Sequence, residues 1–203
     1  MHFTATQFSH AEVQLELLVA AGTEPSLEGV AHPGRIPYWS VLWPSTAVFG
    51  KWLVDQGYWQ DTPVLELGCG AGLVGLAVAA LGARVTQTDL FPEAVQLARR
   101  NALRNGLPAT RQVAGDWHRW PLRSRWPVIL GNDLTYERDS HAYLLEVLER
   151  ALTEGGVAYL ADPGRPMTLD FLARAEREGW EVGLDALPGS TSVEPAYLYR
   201  FRR

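Results

Sequence analysis

From Thr62 onward, short apolar runs of strand type alternate with stretches whose apolar positions recur at helical spacing. Interleaved strands and helices are the signature of a parallel sheet covered by helices. Pro63–Leu67 opens the series, followed by a glycine loop and an apolar helix over Leu73–Leu81. A second strand, Ala83–Thr88, ends at Asp89. The helix after it has Pro92 near its start and Gly106 just beyond its end, the usual asymmetry. Along it Val95, Ala98, Ala102 and Leu103 fall on one stripe, with Arg99, Arg100 and Arg104 largely opposite.

A third strand is expected near Thr110–Val113, and a fourth, Val128–Leu130, stops at Gly131-Asn132-Asp133. Helix Ser140–Leu152 carries Leu144, Leu145, Leu148 and Leu152; Gly155-Gly156 ends that unit, and Val157–Ala161 is the fifth strand. A helix over Leu169–Glu178 has Thr168 as its N-cap and Gly179 at its C-terminal end. Glu181–Leu187 and Ala196–Arg202 are strands joined around Pro188-Gly189-Ser190, too briefly for a crossover helix, so they pair antiparallel. The expected class is α/β: a Rossmann-like, mostly parallel seven-stranded sheet with helices on both faces and an antiparallel C-terminal hairpin. Before it, Val13, Leu15 and Leu17 alternate with Gln14 and Glu16 as in a short strand. Gly22–Pro37 is loop, and Tyr38–Pro44 leads into a helix over Ser45–Asp55. No repeat and no second boundary appears. Residues 1–203 read as a single domain, with 1–60 an extension of a 61–203 core.

Composition narrows the function classes. The 203 residues are 47% hydrophobic and 20% charged, ordinary for a globular chain. The longest apolar stretch, Ala71–Ala83, is broken by glycines and too short to span a bilayer, and the N-terminus lacks a signal pattern. A cytoplasmic protein without membrane contact is expected. The single cysteine, Cys69, excludes an intramolecular disulfide framework and a zinc site built on several thiolates. The histidines show no ligand-type spacing, so no metal is expected. With 18 basic against 23 acidic residues and a net charge of -5, nucleic-acid binding is not expected either. The terminal Arg200-Phe201-Arg202-Arg203 reads as a solvated end. An acidic single domain fits a monomer.

The chemistry concentrates in Glu66-Leu67-Gly68-Cys69-Gly70-Ala71-Gly72-Leu73-Val74-Gly75, between a strand and a helix. Glycines there let a ligand approach the backbone, or simply serve a tight turn. Gly70 to Gly75 fits the dinucleotide fingerprint, with Asp89 where a ribose-binding acid belongs. Three features favour a methyl donor instead. Glu66 inside the strand end would repel a pyrophosphate, yet could hold the ammonium of S-adenosylmethionine or order the loop amides. The glycines at 68, 70 and 72 begin one step too early for the dinucleotide pattern. The third feature is the terminal hairpin.

These residues resemble the class I, seven-strand S-adenosylmethionine-dependent methyltransferases, and within them the non-histone protein lysine methyltransferases and their bacterial relatives. The resemblance covers about residues 36–140. It rests on Tyr38-Trp39-Ser40-Val41-Leu42-Trp43-Pro44-Ser45, Val64 to Gly75, Thr88-Asp89-Leu90, Gly115-Asp116-Trp117 and Asn132-Asp133-Leu134-Thr135-Tyr136. It implies S-adenosylmethionine as cofactor and a lysine side chain of a protein, or a small molecule, as acceptor. Trp43 would line the methionine side, and Glu66, Gly68, Cys69 and Gly70 would form the floor. Asp89, with Leu90 beside it, would take the ribose. Trp117 would pack along the adenine, Asp116 read its exocyclic amine, and Asn132 reach the cofactor from a strand end. Asp133 and Tyr136, matching the group's Asp-x-x-Tyr, would be the catalytic pair, orienting and desolvating the amine.

Each role has a plainer competitor. Trp39 and Trp43 are candidates for the core, one of Trp117 and Trp120 for packing, Asp133 for a turn cap and Tyr136 for a surface position. Cys69 reads as small filler, and His118 and His141 as lacking a base's partner. The group commonly has a small residue where Asn132 stands, and residues 1–35 match nothing in it. A small-molecule N- or O-methyltransferase is the runner-up, with residues 1–35 as a lid. A nicotinamide oxidoreductase or a non-enzymatic binding module stands further off.

Overall fold

The computed structural model describes residues 2–21, 37–189 and 195–203. The predicted loop Gly22–Pro37 lies outside them except for Pro37, and so does Ser190 of the last connection. Strands β1 (Phe3–His10) and β2 (Val13–Ala20) form an antiparallel hairpin. Only β2 was signalled by alternation, and its Val13, Leu15 and Leu17 are indeed buried. Then come α1 (Pro44–Gln56), β3 (Pro63–Leu67), α2 (Leu73–Ala79), β4 (Arg84–Asp89), α3 (Pro92–Arg104) and β5 (Arg111–Ala114). The chain continues through β6 (Trp126–Asn132), α4 (His141–Ala151), β7 (Leu152–Asp162), α5 (Pro166–Arg177), β8 (Glu181–Leu187) and β9 (Ala196–Arg202).

Seven strands make one sheet in the order β5-β4-β3-β6-β7-β9-β8. The first five are parallel; β9 enters antiparallel between β7 and β8, as the short last connection required. One apolar core packs α4 and α5 onto Leu65, Leu67, Ile129 and Phe201, while Val64, Leu130 and Leu198 face Phe49 and Leu53 of α1 and Val74 and Val78 of α2. A third cluster joins Leu15 and Leu17 of the hairpin to Leu73 and Leu76 of α2 and Leu97 of α3.

Three boundaries and one helix face differ from expectation. Helix α2 stops at Ala79, and the chain reverses at Gly82 rather than continuing to Leu81. Gly155-Gly156 lie inside β7, not at its border; the register jumps there, from Trp126 opposite Leu152 to Val128 opposite Val157, so the glycines bulge out of the ladder. Helix α5 begins at Pro166, with Arg165 at the cap position, and Thr168 is a buried residue of its first turn instead of its N-cap. Proline fixes the first helical turn and so set the start earlier. The buried stripe of α3 is Ala94, Leu97, Ala98, Asn101 and Ala102; Leu103 faces solvent.

Candidate active site

The C-terminal ends of β3, β4 and β6 open onto one pocket of about 450 Å³, within the range of small-ligand clefts. Strand order reverses between β3 and β6, and open α/β sheets bind ligands at such a switch point. All twelve residues singled out from the sequence line it: Trp43, Glu66, Gly68, Cys69, Gly70, Asp89, Leu90, Asp116, Trp117, Asn132, Asp133 and Tyr136.

The glycine loop is held from beneath. Glu66 is 3% exposed, and its Oε2 accepts from the Gly75 N–H at 3.0 Å and from Gln87 Nε2 at 2.6 Å. Of the two roles open to Glu66, the protein contacts are those of a loop organiser. A Cβ at Gly75 would stand 2.5 Å from that same oxygen, so only glycine brings the helix backbone close enough. Burial pushes the Glu66 carboxyl up to about 8, against the opposing pull of the Gln87 and Gly75 donors. Gln87 also donates to the Gly72 carbonyl at 2.9 Å, tying the loop to β4.

Asp89 closes the second strand end. Its Oδ2 accepts from Gly70 N–H at 2.9 Å and its Oδ1 from Phe91 N–H at 3.0 Å. Two carboxylate oxygens offer about four acceptor positions, so capacity remains for a ligand's hydroxyls. Burial raises its carboxyl and those amide donors oppose the rise. Gly70 has φ +51°, and a Cβ there would lie 2.8 Å from the Trp39 carbonyl. The aromatic segment before α1 therefore packs directly on the glycine loop. Trp43, half-buried, lies with its ring centroid 6.1 Å from that of Tyr38. Burial also drives the Cys69 thiol well up, leaving it an inert protonated filler.

At the pocket wall that follows β5, Asp116 accepts from the His118 N–H at 2.9 Å, capping the turn Trp117–Arg119. Trp117 is half-buried and lines the pocket, whereas Trp120 is 8% exposed and belongs to the core. Asn132 Nδ2 donates to Ser45 Oγ at 3.2 Å and Thr46 Oγ1 at 2.9 Å, while its Oδ1 is buried without a partner among the described residues. His141 is buried against Phe171, bonded to the Thr135 carbonyl, and is not among the pocket residues.

The segment Asp133–Tyr136 is the most constrained part of the rim. Asp133 is 8% exposed, has φ +53°, and donates its N–H to the Ala161 carbonyl at 2.8 Å. Its carboxylate accepts both arms of Arg165, Nε at 2.6 Å and Nη2 at 2.7 Å. Tyr136, by contrast, is 48% exposed at the mouth. Burial of its inner side raises its phenol, helped by Glu137, Asp89 and Asp133 and opposed by Arg165. The sequence reading missed Arg165, Gln87 and Glu137, and quoted Tyr38 only as part of the entry segment. Arg165 alone carried a signal, standing just before a proline-started helix at the end of a parallel strand.

Residues 38–177 match a protein family described as lysine methyltransferase. The chain belongs to this family. Within the lysine methyltransferase family's wider surroundings it is similar to the ribosomal protein L11 methyltransferase of Pseudomonas aeruginosa, 28% identical over 182 residues, which are 79% of this chain and 56% of that protein. It is also similar to protein N-lysine methyltransferase METTL21A of Xenopus tropicalis, 32% identical over 127 residues, or 60% of this chain and 59% of that one. The chain thus spans little more than half the length of these relatives, and 23% of the Azotobacter vinelandii L11 methyltransferase. Among solved structures, a TehB-like S-adenosylmethionine-dependent methyltransferase from Corynebacterium glutamicum aligns with TM-score 0.58 at 22% identity, covering 80% of this chain and 88% of that one. A glycopeptide N-methyltransferase complexed with sinefungin aligns with TM-score 0.61 at 16% identity, over 78% and 94%. These two establish the class I methyltransferase fold. No helix among the described residues is long and apolar enough to cross a membrane.

Proposed function

We propose that the chain is an S-adenosylmethionine-dependent protein lysine N-methyltransferase. The observation that carries this reading is the charge of the pocket wall. Asp89, Asp116, Asp133 and Glu137 line it, and no lysine or arginine among the described residues does. Such a wall disfavours a pyrophosphate and favours ligands bearing positive charge, as both a sulfonium nucleoside and a lysine side chain do. The residues fit that cofactor on this structure's own terms. Asp89 keeps acceptor capacity for ribose hydroxyls, Glu66 and Gln87 hold the glycine loop to receive the amino-acid end, and Leu90 and Trp117 offer apolar surface to a base.

The cofactor, when bound, supplies an already activated methyl group, so the protein's task is alignment and exclusion of water. A lysine amine is protonated at neutral pH and must lose that proton before it attacks. Asp133 and Tyr136, at the mouth beside the loop, orient the amine and strip its water, and the aromatic rim of Tyr38 and Trp43 completes the screen. The proton leaves to solvent through the open mouth.

Purified protein incubated with methyl-labelled S-adenosylmethionine and extract of its own organism, from a strain lacking the chromosomal copy, tests this. A labelled protein band that yields methyl-lysine on hydrolysis is the expected result; label confined to the small-molecule fraction would reassign the acceptor. Asp133→Asn and Tyr136→Phe should lower the transfer rate about 100-fold or more while changing S-adenosylhomocysteine affinity by less than about threefold. Equal losses in both quantities would remove the pair from the chemistry.

A further inference from the structure

The Asp133 N–H and the side chains of Asp133 and Thr135 are all tied to the region where β7 passes into α5, while the Thr135 carbonyl is bonded to His141. The Asp133 N–H reaches the Ala161 carbonyl. The Asp133 carboxylate takes the Arg165 guanidinium on both oxygens. The Thr135 hydroxyl donates to Asp162 Oδ2 at 3.1 Å and lies 2.6 Å from the Thr168 hydroxyl. On the far side, Asp162 Oδ1 accepts the N–H groups of Gly164 and Arg165, each at 2.7 Å, which fixes the backbone from which Arg165 reaches back. Asp162 is 2% exposed, so this anchor sits inside the fold. Only Tyr136 projects freely.

A forked pair of this kind fixes a carboxylate in plane and direction, which a single bond to an ammonium does not. It also uses only two of about four acceptor positions, leaving the carboxylate's remaining lone pairs for the mouth. Asp133 is therefore not a freely rotating base. We propose that Arg165 is a positioning residue of the methyl-transfer site, whose guanidinium, carried on a backbone that Asp162 braces, locks the Asp133 carboxylate in the one orientation that receives the acceptor amine. This rests on the reading of Asp133 as the group that meets the acceptor. Arg165 itself lines no part of the pocket wall, so it acts on the acceptor through Asp133 and leaves the cofactor's hold unaltered.

The test compares Arg165→Leu and Arg165→Lys with wild type in three readouts. These are the maximal labelling rate across an extract dilution series, S-adenosylhomocysteine affinity by calorimetry, and Tm. Arg165→Leu should lose about tenfold or more in maximal rate, with S-adenosylhomocysteine affinity within about threefold of wild type. Arg165→Lys, able to hold one oxygen but not both, should fall between the two. A rate within about twofold of wild type in Arg165→Leu overturns the assignment, as does a parallel loss of S-adenosylhomocysteine affinity. Should Arg165→Leu fail to fold, Arg165→Lys decides: an intermediate rate with wild-type S-adenosylhomocysteine affinity supports the lock, and a wild-type rate or a matching loss of affinity overturns it. Absence of any protein labelling by wild type would instead be a failure of the lysine reading, and the two failures are told apart by that control.

Discussion

Glu66 shows how a single buried acid records its surroundings. Its carboxyl is lifted from an ordinary 4.5 to about 8, so the folded protein keeps a proton that the unfolded chain releases over that interval. Such a group contributes its full stability below the unfolded value and loses it as pH rises towards the folded one. Wild type should therefore lose stability relative to Glu66→Gln between about pH 5 and about pH 8, by up to ~1.4 kcal/mol per pH unit. Urea unfolding of the two proteins across that range checks it; parallel curves would show that Glu66 ionises normally. Glu66, Asp89 and Asp133, found from the sequence, stand at strand ends beside glycines or turns, where a local string of letters carries the signal. Arg165 reaches Asp133 across 32 positions and Gln87 reaches Glu66 across 21, and no local pattern encodes a partner that distant.

Among elements, the N-terminal hairpin is the one whose part in the site was hidden. Residues 1–35 have no counterpart in the family motifs, yet β2 is fastened to α3 by Asn101. That side chain accepts from the Leu18 N–H at 2.8 Å and donates to the Leu18 carbonyl at 3.0 Å and to the Ala71 carbonyl at 2.8 Å. One amide thus joins hairpin, helix and glycine loop. Alternation made β2 legible, but β1, half exposed and carrying weaker alternation, announced nothing. The stripe read on α3 from its apolar residues left out Asn101, which is 0% exposed. Buried amides hide in this way: their burial depends on partners supplied by other elements. Asn101→Ala removes three bonds worth ~1 kcal/mol each, so unfolding free energy should fall by about 3 kcal/mol with an unchanged denaturant slope. S-adenosylhomocysteine affinity should weaken as well, because the Ala71 carbonyl is released. A variant that loses stability but binds normally would separate the hairpin from the loop.

For the molecule as a whole, the class and the antiparallel last pair followed from the spacing of the elements, whereas the order β5-β4-β3-β6-β7-β9-β8 came only with the structure. The ligand should act on that whole. S-adenosylhomocysteine at about a hundredfold its Kd should add ~2.7 kcal/mol to unfolding, whereas NADH at the same concentration should leave Tm unmoved. A shift with NADH alone would reverse the cofactor assignment. The place of β9 carries a different consequence. It lies between β7 and β8, and its Ala196, Leu198 and Phe201 are fully enclosed, supplying both faces of the sheet. While this polypeptide is being synthesised, β7 and β8 have no direct ladder to share, and the edge of β7 that β9 will pair stays open until residues 196–202 clear the ribosome. A stall in translation shortly before that point would leave a sheet with an unpaired, sticky edge.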